Sequence, residues 1–158
     1  MQKTNAMRLL DAAGIQYSTA EYEVDERDLS GVHAARMLNM PVERVFKTLV
    51  LRGASGAYIV CCIPVVDELD LRKVARVSGE KNVELIPMKE LPIVSGYVRG
   101  GCSPIGMKKL FPTYIDETAE LFDDISISAG ARGVQIIMKV EDLNRHIGTV
   151  NADLVVVV

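Results

Sequence analysis

Residues 45–66, VFKTLVLRGASGAYIVCCIPVV, constrain the fold more than any other part of the chain. Two β-branched, apolar runs flank the turn-forming GASG, a pattern that predicts an antiparallel hairpin. The second run, AYIVCCIPVV, is ten residues long and contains Pro64. It is too short for the roughly 20 apolar residues that span a bilayer and predicts a buried strand. Helical patterns surround the hairpin. TNAMRLLDAAG reads as a helix capped by Thr4 and stopped at Gly14, with Ala6, Leu9, Leu10 and Ala13 at helical spacing. IQYSTAEYEV is extended, and GVHAARMLN is a helix capped by Ser30 and ended by Asn39 and Pro41. LRKVARVSG, capped by Asp70, turns Leu71, Val74, Ala75 and Val77 to the sheet and Arg72, Lys73 and Arg76 outward. VELI predicts a short strand, PMKELPIV a turn of helix and VEDLNRHIG a last helix, while PTYID, ISISAG, VQIIMKV and ADLVVVV are strand-like. This order predicts an α+β domain over residues 1–158, built on a mixed, strongly curved sheet rather than on regular βαβ units.

The chain is 49% hydrophobic and 25% charged, an ordinary globular composition. MQKTNAMRLLDAAG has no apolar signal region, so a cytoplasmic location is expected, with no membrane association. Cys61, Cys62 and Cys102 are odd in number and lack Cys-x-x-Cys spacing, and His33 and His146 stand apart, so neither a disulfide framework nor a metal is expected. A net charge of −3 excludes a general nucleic-acid coat. The basic residues gather in the middle of the chain, which leaves room for a local phosphate-binding face.

Lys47 is the first candidate for chemistry. Alternation puts it with Val45, Leu49 and Leu51 on one strand face while Phe46, Thr48 and Val50 take the other, and both faces are apolar. A lysine held there loses hydration unless it meets an anion. Its stem could equally lie along apolar surface with the ammonium in water. The second candidate is GYVRGGCSPIGMKK, residues 97–110. It matches neither common phosphate-loop pattern, and Pro104 removes a backbone donor. Cys102 would need a base that no motif supplies, so a buried thiol is the simpler expectation. Gly100–Pro104 could also bring backbone N–H groups close to a carbonyl or oxyanion, or form only a tight turn. In a second glycine turn, SAGARG, Arg132 between Gly130 and Gly133 could clamp a phosphate or carboxylate. Tyr22 offers a hydroxyl from the acidic extended segment.

VFKTLVL, DLRKVA, GYVRGGCSPIGMKK, YIDE and SAGARG, in this order, resemble the YbaK family, freestanding relatives of the editing domain of bacterial prolyl-tRNA synthetases. The resemblance implies a partial barrel with helices packed around it. It also implies hydrolysis of mischarged tRNA(Pro), most of all Cys-tRNA(Pro), with Ala-tRNA(Pro) or a non-catalytic binding role as alternatives. No cofactor is implied, and prolyl-tRNA synthetase is the implied partner. It places catalysis at Lys47, Gly100, Gly101, Ser103 and Pro104, and substrate contacts at Tyr22, Thr48, Cys102, Gly130, Arg132 and Gly133. Some relatives carry an acidic residue where this chain has Gln135.

Overall fold

In the computed structural model, which describes residues 2–158, the chain runs in order through α1 (Asn5–Ala12), β1 (Tyr17–Glu21), α2 (Gly31–Met37), β2 (Phe46–Gly53) and β3 (Tyr58–Pro64). There follow α3 (Leu71–Ser78), β4 (Val83–Leu85), α4 (Leu91–Ser95), β5 (Thr113–Asp116), β6 (Asp124–Ser128), β7 (Val134–Lys139), α5 (Val140–Ile147) and β8 (Val150–Ala152). The expected caps are in place. Thr4 Oγ1 accepts from the Met7 N–H, Ser30 Oγ from the His33 N–H, and Asp70 Oδ1 from the N–H groups of Arg72 and Lys73. Each satisfies donors that a helix start leaves free.

The strands divide into two sheets. One is antiparallel with order β1-β7-β6; the other is mixed, with order β4-β2-β3-β5-β8, antiparallel through β4, β2 and β3 and parallel through β3, β5 and β8. A parallel bridge between Val45 and Ser126 joins the sheets just ahead of β2. Arg44 reinforces this junction, donating from Nε to the Asp124 carbonyl at 3.1 Å and pairing with the Asp124 carboxylate.

The hairpin is buried on both faces, as a strand pair in the middle of a covered sheet must be. Leu51, Ile59, Cys61 and Ile63 pack under α3 with Val74, Ala75 and Leu154. Phe46 and Cys62 join the main core with α1, α5 and the isoleucines of β6 and β7. Val50 and Val60 meet Ile86, Leu91, Val94 and Cys102. Fully burying side chains of this size stabilises by about 1.5–3 kcal/mol each, which fixes the position of β2.

Three local expectations are corrected. Met7 rather than Leu9 turns inward from α1, because Leu9 lies at the rim beside Gly106. Leu71 is exposed, since the buried stripe of α3 runs through Val74 and Ala75. ADLVVVV is not a strand. β8 ends at Ala152, after which the buried Asp116 carboxylate takes over the backbone: Oδ1 accepts from the Leu154 N–H at 3.0 Å and pins Leu154 in the core. Beyond it only Val155 makes a bridge, to Leu69, and Val157 is exposed.

Asp116 Oδ2 also accepts from the N–H and hydroxyl of Thr118. Asp116→Ala strands these buried donors and should cost about 2–3 kcal/mol. Urea unfolding will read this as a lower midpoint with an unchanged slope; an unshifted midpoint would show that the tail is held by other means.

Candidate active site

A cavity of about 340 Å³ lies where β2, the start of α2, the 97–106 segment, β6 and β7 meet. Of the residues expected at a site, Lys47, Thr48, Tyr22, Gly100 and Cys102 line it. Arg99, Ser128 and Gln135 line it too, while Leu85 and Met88 contribute exposed apolar surface at its rim.

Lys47 lines this cavity from the start of β2, at the open end of the hairpin, opposite Ile63 of β3. It makes no ion pair among the described residues. Desolvation holds its pKa below the ordinary lysine value, against the smaller opposing pull of the Asp67 and Glu68 carboxylates. No Asp or Glu lines the cavity among the described residues. An ammonium left short of both water and a counter-ion favours any ligand that brings an anion or an electron-rich oxygen.

The two glycine motifs of the sequence form one interlocked unit. Gly101 packs on the backbone of residues 131–132, where an added Cβ would stand 3.0 Å from Ala131 C and Arg132 N. Gly130, at φ 97°, lies under the Tyr97 ring, and its missing Cβ would come within 2.9 Å of Tyr97 Cε1. Tyr97 donates its hydroxyl to the Ile105 carbonyl, and Arg132 Nε donates to the Arg99 carbonyl at 2.8 Å. These contacts hold Gly100 and Cys102 against the cavity. Their N–H groups donate to no protein acceptor among the described residues, whereas the Gly101 N–H is used in a turn onto Val98 O.

Six expected site residues therefore lie outside the cavity lining. Gly101 and Gly130 serve the loop contact. Ser103 is fully buried, its Oγ accepting from the Ile105 N–H at 3.2 Å, and Pro104 is buried beside it. Gly133 pairs with Tyr22 through its carbonyl and leaves no room for a Cβ against Tyr22 O and Val24. Arg132 is exposed beside Arg99, outside the cavity. Sequence reasoning passed over Tyr97, Arg99 and Ser128. The alternation in DISIS was the available signal for Ser128, since a buried strand with serine at every second position must place those serines against something polar.

Cys102 is buried, and burial pushes its thiol up to about 12. It is therefore protonated at neutral pH and unsuited to nucleophilic attack. Cys62 is pushed up to about 12 for the same reason. No cluster of three or more His, Cys, Asp or Glu side chains able to hold a metal occurs among the described residues, and no helix there is long and apolar enough to cross a membrane. A shallower groove of about 960 Å³ lies between α1, β1 and β7, but its polar groups are mutually engaged: Lys3 and Tyr17 both donate to the Asp11 carboxylate.

An α+β scaffold that gathers a partly desolvated lysine and two loop amides without protein acceptors around one small cavity defines a class of small-ligand binding or hydrolytic domain. Within that class, the chain belongs to the aminoacyl-tRNA editing domain family, whose model matches residues 29–146, in agreement with the YbaK-type motifs. It is 47% identical over 135 residues, 85% of this chain and 82% of the relative, to EbsC of Enterococcus faecalis, described as a candidate Cys-tRNA(Pro)/Cys-tRNA(Cys) deacylase. Among solved structures it resembles a candidate trans-editing enzyme for prolyl tRNA synthetase, with a TM-score of 0.84 at 22% identity over 99% of this chain and 100% of the other. A hypothetical protein matches with a TM-score of 0.86 at 19% identity over 94% of this chain and 97% of its own. At these identities the structural matches establish the fold.

Two outcomes follow from the site geometry. Gly101→Ala forces the 97–106 segment away from residues 131–132, and overpacking of this kind costs about 1–3 kcal/mol. Thermal melting should register it, and an unaltered melting temperature would mean that the two turns are not locked together. Thiol labelling at pH 8 should leave Cys62 and Cys102 unmodified until the protein unfolds; rapid labelling of Cys102 in the folded protein would contradict its burial.

Proposed function

We propose that this protein is a trans-editing deacylase that hydrolyses the ester of mischarged tRNA(Pro), with the cysteinyl ester as its substrate. Membership of the editing family gives the reaction class, and similarity to the Enterococcus protein supports the substrate. The observation that carries the proposal is Lys47, partly desolvated and without an ion-pair partner among the described residues, lining one cavity with Gly100 and Cys102, whose N–H groups donate to no protein acceptor there.

An aminoacyl ester is already activated, so hydrolysis can be promoted by orienting it and stabilising the oxyanion that develops on its carbonyl oxygen. In the proposed mechanism the Gly100 and Cys102 amides donate to that oxygen. The Lys47 ammonium fixes the terminal adenosine or its phosphate, recovering in the complex the electrostatic partner it lacks in the free protein. Either a water held by the neighbouring ribose hydroxyl, or the substrate's own thiol, attacks the carbonyl carbon and gives up its proton. The bond from that carbon to the ribose oxygen breaks and the ribose oxygen takes the proton, leaving the free amino acid in the first case and in the second a cyclic thioester that water then opens. Glycines 101, 130 and 133 act by holding the loops, Ser103 and Pro104 by stiffening them. Tyr22 and Thr48 contact the substrate from the cavity wall, and Arg132 engages the tRNA backbone from outside.

Residues 1–158 act as one editing domain, with the Val45–Ser126 bridge as the seam of a partial barrel. A chain of net charge −3 attracts tRNA weakly by itself, so delivery by prolyl-tRNA synthetase in the cytoplasm is part of the proposal.

The test is amino-acid release from Cys-tRNA(Pro) and Ala-tRNA(Pro) by wild-type protein and Lys47→Ala, each with and without prolyl-tRNA synthetase. Rapid release of cysteine, reduced at least about 100-fold in Lys47→Ala, is expected, the size of a lost charge-stabilising contact in a transition state. Preferential release of alanine would move the substrate assignment. Absence of release from either ester, with the synthetase present, would defeat the deacylase proposal.

A further inference from the structure

The inner face of the β6–β7 pair is unusually polar for a buried surface. Alternation along β6 sends Ile125 and Ile127 to the main core and Ser126 and Ser128 to the opposite face; on β7, Ile136 and Met138 pack in that core while Gln135 turns the other way. Ser126 is 0%, Ser128 9% and Gln135 6% exposed. Desolvating three such groups is costly unless hydrogen bonds or a ligand compensate.

Their existing hydrogen bonds account for only part of this polarity. The Ser126 hydroxyl donates to Gln135 Oε1 at 2.9 Å, the one hydrogen bond of the Gln135 side chain among the described residues. Gln135 Nε2 thus has no partner, yet no fully buried side-chain nitrogen or oxygen among the described residues is left unsatisfied. The amide nitrogen must therefore keep accessible surface. Gln135 lines the cavity and is otherwise buried, so that surface faces the cavity. Ser126 sets the orientation: by donating to Oε1 it turns the NH2 end away from itself. Ser126 also bridges Val45, two residues ahead of Lys47, which ties the carboxamide to the base of the strand carrying the lysine. Ser128, directly opposite Gln135 in register, accepts the Gly130 N–H on Oγ and has its own proton free to donate.

We infer that Gln135 is a specificity-determining residue, its side-chain NH2 donating from the cavity wall to an acceptor atom on the amino-acid side chain of the ester. Resting on the deacylase proposal, the argument is one of depth and chemistry. Only the aminoacyl end of a tRNA fits a cavity of about 340 Å³, and with its carbonyl at Gly100 and Cys102, as proposed, the side chain is left to meet the remaining wall. A thiol sulfur accepts hydrogen bonds weakly, whereas the methyl group of alanine accepts none. A neutral donor on the buried wall, beside the Ser128 hydroxyl, thus separates two substrates that differ little in volume, where hydrophobic fit alone discriminates poorly. Serine, whose hydroxyl is a stronger acceptor, should gain from the same contact.

Gln135→Met keeps the length and removes the donor; Ser126→Ala keeps the carboxamide and removes the group that orients it. kcat/KM for Cys-tRNA(Pro) should fall about 3- to 10-fold in Gln135→Met and about 2-fold in Ser126→Ala, the range of one neutral hydrogen bond. Ala-tRNA(Pro) should change by less than about 2-fold in both, so that the Cys/Ala ratio narrows. Equal losses on the two esters, or an unchanged ratio, would overturn the inference, because a merely structural role lowers both together. Calorimetric binding of the non-hydrolysable 3′-cysteinylamino- and 3′-alanylamino-3′-deoxyadenosines to the same proteins reads the ratio without turnover. If wild-type protein cleaves neither ester, the deacylase proposal falls while this binding ratio still decides the role of Gln135: a preference for the cysteinyl analogue lost in Gln135→Met supports it, and equal binding overturns it.

Discussion

The structure depends on a hairpin whose apolar side chains are committed to core on both faces. β2 and β3 are covered by α3 on one side and by the main core and the α4 segment on the other, so their side chains are committed before any loop is placed. A lysine in such a strand cannot relax by moving the backbone. It must extend into whatever space the surrounding loops leave, and the cavity is that space. Burial that stabilises the fold therefore raises the energy of the charged Lys47, and a ligand carrying negative charge or strong acceptors would relieve this. In the proposed function, stability and binding are linked at that residue.

Loop precision comes from close backbone approach rather than from many side-chain contacts. Residues 97–106 and 129–133 each use a glycine to let the other in, Gly101 against backbone and Gly130 against the Tyr97 ring. An amide donor aimed at a developing oxyanion is useful only if it stays put while charge forms. Two interlocked turns are a source of that rigidity. The same packing explains why most residues of the G-x-x-x-P segment do not line the cavity: their work is to hold Gly100 and Cys102.

The parts of the fold that sequence could convey were those encoded locally. Thr4, Ser30 and Asp70 announce helix starts because a short polar side chain ahead of an apolar-periodic run has one good use. GASG announces the hairpin for a similar reason. What sequence could not convey is pairing at long range. The division into two sheets, the Val45–Ser126 bridge and the Asp116–Leu154 bond that ends the last strand join positions about 40–80 residues apart. ADLVVVV has strand propensity throughout, and a single buried carboxylate overrides it. At the site, Lys47 stood out because a charge in an apolar strand is a local anomaly. Tyr97 and Ser128 look ordinary in sequence and matter through their neighbours in the fold, Gly130 under the Tyr97 ring and Gln135 opposite Ser128 on the next strand.

The polarity of the cavity bears on how an acidic protein can act on tRNA. Its charged lining groups are Lys47 and Arg99, with Arg132 just outside, while the chain as a whole carries −3. Long-range attraction to a polyanion is accordingly poor, but short-range attraction for the last nucleotide and its ester is retained where screening is weakest. Such a distribution gives slow encounter with a polyanion in free solution, which is the electrostatic ground for proposing delivery by a partner. No carboxylate lines the cavity among the described residues, so its field is set by the two cations, and the positive group of any ligand is favoured at the mouth rather than against the wall.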